Sequence, residues 1–183
     1  MRTGDVTTIE ALDNAFRACC GADFDRLPEI VRRAHIGRTR LKGQARVQRG
    51  GTVATLIANA MGLPKVTSSV TMTVEGDHRQ DCMIWDRRFG ERRFRSCFKR
   101  DGGGLVESMG PFRLHLRLKV ADRRVHYVLD RVSVLGIAWP RLFAPGLEAW
   151  EGEIAGRYDF AVEVRLPLIG RLVRYEGQLD HVP

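Results

Sequence analysis

Phe112-Arg113-Leu114-His115-Leu116-Arg117-Leu118-Lys119-Val120 alternates apolar and polar residues without a break. A strand turns successive side chains to opposite faces, so this stretch predicts a strand with one face buried and the other in water. Asp122-Arg123 follows as a two-residue hairpin turn, and the chain returns as a second strand from Arg124 to Val134. The alternation of that return slips around residues 129–131, as a β-bulge would make it.

The period of two extends outward from this hairpin in both directions. Upstream, Leu41, Gly43, Ala45 and Val47 alternate with polar residues, as do Val70, Met72 and Val74. Downstream, Tyr158, Phe160, Val162 and Val164 share a face, residues 166–170 turn the chain, and Val173, Tyr175, Gly177 and Leu179 line the return. Before Pro64 the spacing is helical. Ile9, Leu12 and Phe16 predict one helix, capped by Thr7 or Thr8. Leu27, Ile30, Val31 and Ala34 predict a second, with Pro28 in its first turn and Gly37 beyond its end. Val53, Leu56, Ile57 and Ala60 predict a third. Residues 135–148, with Gly136, Pro140, Pro145 and Gly146, predict a long loop.

These elements predict an α+β, mainly β domain: a strongly curved antiparallel sheet or partly closed barrel of about seven or eight strands, covered by N-terminal helices. Two orthogonal sheets forming a sandwich are the alternative. The 183 residues fit a single domain over 1–183, with 1–21 as a helical extension. At 44% apolar and 28% charged, the chain is neither a typical disordered nor a collagen-like sequence.

The net charge is +8, and the basic residues are nearly all Arg. Arg suits bidentate contacts with carboxylate or phosphate. Biased residue usage at surface positions accounts for the same excess. The basic residues concentrate before residue 145 and the remainder of the chain is net acidic, an asymmetry that could steer an anionic partner. Cys19, Cys20, Cys82 and Cys97 match neither a disulfide framework nor a zinc-site spacing. Asp5, Glu10 and Asp13 interrupt the first twenty residues, which excludes a signal-peptide pattern, and no apolar run approaches the roughly 18 residues of a membrane span. A reducing cytoplasm is the expected compartment.

The densest chemistry lies in residues 83–96. With Gly90-Glu91 as the turn, Arg87 falls opposite Phe94, Trp85 opposite Ser96 and Met83 opposite Phe98. Arg87 then sits on one face with Met83, Trp85, Phe89, Phe94 and Phe98, and a buried guanidinium requires a partner. Glu107 is the internal candidate. An anion held by Arg87 with Arg88 or Arg93 nearby is the functional alternative, and a charge snorkelling to the rim is the structural one. His35 reads as a helix-end hydrogen-bonding residue, with catalysis as the sharper alternative. Glu148, Glu151 and Glu153 around Trp150 read as a solvated acidic rim. No nucleophile elbow, Walker loop or histidine metal motif occurs, so no catalytic motif, metal or cofactor is assigned.

In their order, several short motifs resemble the largely bacterial family called domain of unknown function 4166. They are Phe24, Leu27-Pro28, Val31 and His35, then Gly43, Ala45, Val47 and Arg49-Gly50. The centre contributes Trp85, Arg87, Phe89-Gly90, Phe94, Ser96, Glu107 and Gly110-Pro111-Phe112. The end contributes Phe160, Leu166-Pro167-Leu168, Gly170, Leu172-Val173, Tyr175, Gly177 and Leu179. The resemblance covers about residues 22–180. It implies no catalytic residues. Some members carry a preceding dinucleotide-binding region resembling saccharopine dehydrogenase, but this chain has no G-x-G-x-x-G fingerprint. Trp139-Pro140 stands where the family pattern implies a smaller apolar residue.

The leading functional expectation is therefore an amphipathic or anionic small molecule held in a curved β-sheet cavity, with Trp85, Arg87, Phe94, Glu107 and His35 as binding residues. A structural or protein-interaction accessory domain is the closest alternative. An enzyme of unknown reaction is another. A nucleic-acid-binding sheet would need Trp85, Phe89 and Phe94 exposed for base stacking, and is the least favoured partner class.

Overall fold

The structure, a computed structural model, describes residues 14–78 and 82–183. Ten antiparallel strands close into a barrel. They are β1 (Gly37–Arg49), β2 (Thr67–His78), β3 (Met83–Phe89), β4 (Arg92–Asp101), β5 (Gly104–Met109), β6 (Phe112–Ala121), β7 (Arg124–Val134), β9 (Gly146–Ile154), β10 (Arg157–Leu166) and β11 (Gly170–His181), with the two-residue β8 (Ile137–Ala138) added to the end of β7. Each strand pairs with the next around the wall, and β11 returns to β1. Among the described residues, closure pairs both sides of every long strand except where β7 and β9 diverge beyond Val125–Tyr127 and Ala149–Glu151, so little sheet edge is left to attract another chain.

The barrel is thus complete and has more strands than the alternation predicts. The additional ones are β5 and β9, and the cause is chemical. β5 is six residues long, and its inward face carries Glu107 beside Leu105; β9 puts Glu151 inward beside Ala149. A glutamate on the core face breaks the apolar signal by which a half-buried strand is recognised. β9 also turns the last three residues of the expected 135–148 loop, Gly146–Glu148, into strand. Elsewhere the patterns hold. Asp122 and Arg123 have φ of 49° and 59°, as a two-residue hairpin turn with both centres left-handed requires. The slip in β7 is a register shift against β6 between His115 and Leu116 that bypasses Asp130.

Leu41, Met72, Val74, Trp85, Leu105, Leu116, Val125 and Phe160 fill the barrel from its walls. The N-terminal helices close one end. α1 (Ala15–Cys20) is capped by Asn14, whose Oδ1 accepts from Arg17 N at 3.0 Å. The expected cap at Thr7 or Thr8, with Ile9 and Leu12, lies outside the described residues. A 3-10 turn (Gly21–Arg26) leads to α2 (Glu29–Ala34), which begins after Pro28. α1 packs on β4, β5 and β6, while α2 packs on β1, β9 and β10, so together they span that end. Phe16, Phe24, Leu27 and Val31 drive into the barrel core. α3 (Thr52–Ala60), in the β1–β2 connection, instead covers the outer face of β11 with Ala54 and Ala58 against Leu172.

Closure at β1–β11 depends on two glycines. A Cβ at Gly43 would lie 2.1 Å from the Gln178 carbonyl oxygen, and one at Gly177 would lie 2.3 Å from that of Gln44. Backbone meets backbone there, and no rotamer can relieve a side chain.

Candidate functional site

The β3–β4 hairpin has the register its sequence predicts: Met83 opposite Phe98, Trp85 opposite Ser96 and Arg87 opposite Phe94. Arg87 therefore points into the barrel, where its side chain is only 11% exposed. Its Nη1 donates to Ser96 Oγ at 2.9 Å and, at a longer 3.4 Å, to Glu107 Oε1. The guanidinium also lies within 6 Å of the Trp85, Phe94 and Phe98 rings, at cation–π distances. Burial works against the charge, but the Glu107 carboxylate outweighs it and holds Arg87 above its ordinary pKa.

Arg88 and Arg93 do not join Arg87. They pair with each other in register and lie on the outer face of the wall, because side chains alternate. There Asp86 has Arg95 as its register partner, yet its carboxylate bonds Arg93, whose Nε lies 2.9 Å from Oδ1 and 2.8 Å from Oδ2. The hydrogen bond from Arg93 holds Asp86 below the usual carboxylate range.

His35 follows α2 and lies fully inside, its ring parallel to Phe16 with centroids 3.6 Å apart and 5.1 Å from Trp85. The Asn14 side-chain amide donates to the His35 carbonyl. His35 Nε2 is 2.6 Å from Glu151 Oε2, and Tyr127 donates its hydroxyl to Glu151 Oε1 at 2.8 Å. Among the described residues His35 Nδ1 has no partner, which assigns the proton to Nε2 as donor to the carboxylate. Glu151 is no solvated rim: Glu153 is exposed, but Glu151 is turned inward and largely buried. Burial pushes Glu151 up, but the His35 ring and the hydrogen bonds it receives overcome this and hold it below the usual range. Burial raises the Tyr127 and Tyr158 phenols well above their ordinary pKa, and the Glu151 charge adds to the rise.

These two pairs flank a cavity of about 30 Å³ lined by Trp85, Arg87, Tyr127, Glu151, Tyr158 and Tyr175 among others. That is room for one or two waters. Of the five expected binding residues, Trp85 and Arg87 line it; His35, Phe94 and Glu107 stand behind, holding those that do. Trp85 Nε1 and Tyr158 Oη are buried without a well-formed hydrogen bond, although Tyr158 lies against the Glu151 carboxylate. Sequence reasoning missed Glu151, Tyr127, Tyr158 and Tyr175 as a group. Tyr158 and Tyr175 carried a signal, since both fall on predicted inward faces, but a tyrosine there reads equally as core.

The family comparison meets this geometry directly. A model described as "Domain of unknown function (DUF4166)" matches residues 27–179, most of the chain. The chain belongs to the DUF4166 family. No curated protein matches it. Within this DUF4166 barrel, the matched span contains every member of both ion pairs, from His35 through Arg87 and Glu107 to Glu151.

Two readings need correction. Trp85 and Phe89 are buried, so the DUF4166 sheet offers nucleic acid no stacking platform from them. Cys82 and Cys97 are not separate thiols: the structure joins them, with Cα atoms 6.2 Å apart, across the start of the Trp–Arg hairpin. Cys19 and Cys20 stay free, and burial pushes Cys20 up to about 12, so its thiol is unreactive at neutral pH. Among the described residues no group of three or more His, Cys, Asp or Glu is placed to hold a metal ion, and no helix is long and apolar enough to cross a membrane.

Proposed function

We propose that the barrel binds an amphipathic anion, its charged end meeting Arg87 and its apolar body lying along Phe160, Met72 and Leu179. One observation carries this reading: among the described residues, Arg87 and Trp85 converge as donors on one cavity with hydrogen-bonding capacity to spare. Among the described residues Arg87 spends only Nη1, on Ser96 and Glu107, and Trp85 Nε1 has no acceptor, while Tyr158 Oη lies against the Glu151 carboxylate. Buried donors in that condition favour an acceptor-rich guest.

A cavity of about 30 Å³ admits no such guest without enlargement. The wall is weakest between β7 and β9, which pair only over Val125–Tyr127 and Ala149–Glu151. Tyr127 and Glu151 stand at that seam, so entry there delivers a ligand directly to the polar cluster.

The test is a titration with decanoate, read by tryptophan fluorescence, against decanol as the uncharged control. Arg87→Met combined with Glu107→Leu removes both charges together and keeps the core apolar. Decanoate should bind the wild type at least about tenfold more tightly than decanol, and the double variant should lose that preference. Equal affinity for the two probes, or an unchanged preference in the variant, removes Arg87 from any binding role.

A further inference from the structure

In an up-and-down barrel the connections alternate between the two ends. The N-terminal helices close the end where β1 begins. The β1–β2, β3–β4, β5–β6, β7–β9 and β10–β11 connections lie at the other. Among the described residues, all the exposed large apolar side chains except Val128 and Ile154 belong to that second end. Leu56 and Val66 project from the β1–β2 connection, Leu135, Ile137 and Leu142 from β7–β9, and Leu168, wholly exposed, from β10–β11. These three connections are consecutive on the rim, since β9 pairs with β10 and β11 with β1. The exposed apolar residues thus sit on three neighbouring connections of one end.

The same segments are cationic. Residues 47–74 contain no Asp or Glu but carry Arg49 and Lys65; residues 135–147 contain none but carry Arg141. The Arg49 guanidinium donates to the Pro64 and Leu63 carbonyls and to Asn59 Oδ1, all uncharged, so its charge is not neutralised. Trp139 Nε1 donates to the Phe143 carbonyl at 2.9 Å, which holds the β7–β9 loop in shape with both aromatic rings exposed. The outer wall, by contrast, carries Arg40, Lys42, Arg117 and Lys119, the reverse of a barrel that faces lipid along its strands.

From these we infer that the rim opposite the N-terminal helices docks on an anionic lipid bilayer. Its aliphatic and aromatic tips enter the headgroup layer, and Arg49, Lys65 and Arg141 meet the lipid phosphates. A soluble protein gains nothing by gathering its exposed apolar residues at one end, and cations without carboxylates beside them select a negative surface. This docking stands independently of whether the interior binds a ligand.

The full chain is mixed with vesicles of phosphatidylcholine alone, or of about three parts phosphatidylcholine to one part phosphatidylglycerol. Sedimentation with the anionic vesicles, weakened by salt, is expected, with a blue shift of Trp139 emission that disappears in Trp139→Phe. Leu142→Asp with Leu168→Asp, and separately Lys65→Glu with Arg141→Glu, should each lower the bound fraction at least about tenfold. All four positions are exposed, so unchanged thermal unfolding will confirm that the variants fold. Absence of binding to anionic vesicles at low salt overturns the inference. So does self-association of the wild type that Leu142→Asp reverses, which would assign the patch to a second copy of the chain.

Discussion

His35 and Glu151 are 116 residues apart in the chain, yet His35 Nε2 lies 2.6 Å from Glu151 Oε2 inside the barrel. One residue belongs to the helical cover and the other to the wall, so this bond fastens the closed end. Phe16 stacked on the imidazole and Tyr127 bonded to the carboxylate fix the orientation of both.

Replacing Glu151 with Leu should therefore cost about 3–5 kcal/mol in urea denaturation, because it leaves the His35 and Tyr127 donors buried without an acceptor. His35→Leu with Glu151→Leu should cost less than the sum of the single changes by about 0.5–3 kcal/mol. Additive effects would mean that the two side chains do not support each other.

The Arg87–Glu107 pair should behave asymmetrically. Arg87→Met alone strands a buried carboxylate and should destabilise the protein by about 3–5 kcal/mol, whereas Arg87→Met with Glu107→Leu should recover most of that loss. Chemical denaturation of the three proteins decides it, and a double variant no better than the single one would refute the pairing.

Gly177→Ala should lower stability by about 1–3 kcal/mol or open the β1–β11 seam, since the new methyl would strike the Gln44 carbonyl oxygen. Gly146→Ala, whose nearest neighbour is the Arg165 Cβ at 3.9 Å, should stay within about 0.5 kcal/mol of the parent. Thermal melts of the two variants side by side provide the comparison.

Acid sensitivity should trace in part to His78. Burial, with His35 adding to it, lowers the His78 pKa to about 3, against roughly 6.5 for an unfolded histidine. Above pH ~6.5 neither state is protonated there and the residue contributes nothing to the pH dependence. Between pH ~6.5 and ~3 the unfolded chain binds a proton that the folded one does not, so stability falls as pH falls. From pH 7 to pH 5 this amounts to about 2 kcal/mol, and His78→Leu should lose about that much less than the wild type over the same interval. An identical pH dependence in the variant would show that His78 is not the group responsible.

Residues 83–96 show how far local pattern reaches. Turn chemistry at Gly90-Glu91 and alternation on either side determine every register pair of the hairpin, and with them the inward direction of Arg87. Phe112–Val120 and Tyr158–Leu179 are legible for the same reason: a strand's faces are set by a period of two, and burying one face writes that period into the residues. That Arg87 needs an acceptor follows too, because a buried guanidinium must have one, with Glu107 as a candidate that the structure then selects.

Tertiary structure alone decided the rest. Closure into ten strands depends on β5 and β9, whose inward glutamates erase the alternation that would reveal them. Glu151 looks like a surface acid in the sequence because its partners, His35 and Tyr127, come from distant elements and only barrel closure brings them within hydrogen-bonding distance. The gathering of exposed Leu56, Leu142 and Leu168 on one rim is likewise a consequence of alternating connections. Local sequence determines which way a side chain points; which distant residue it meets depends on how the wall closes.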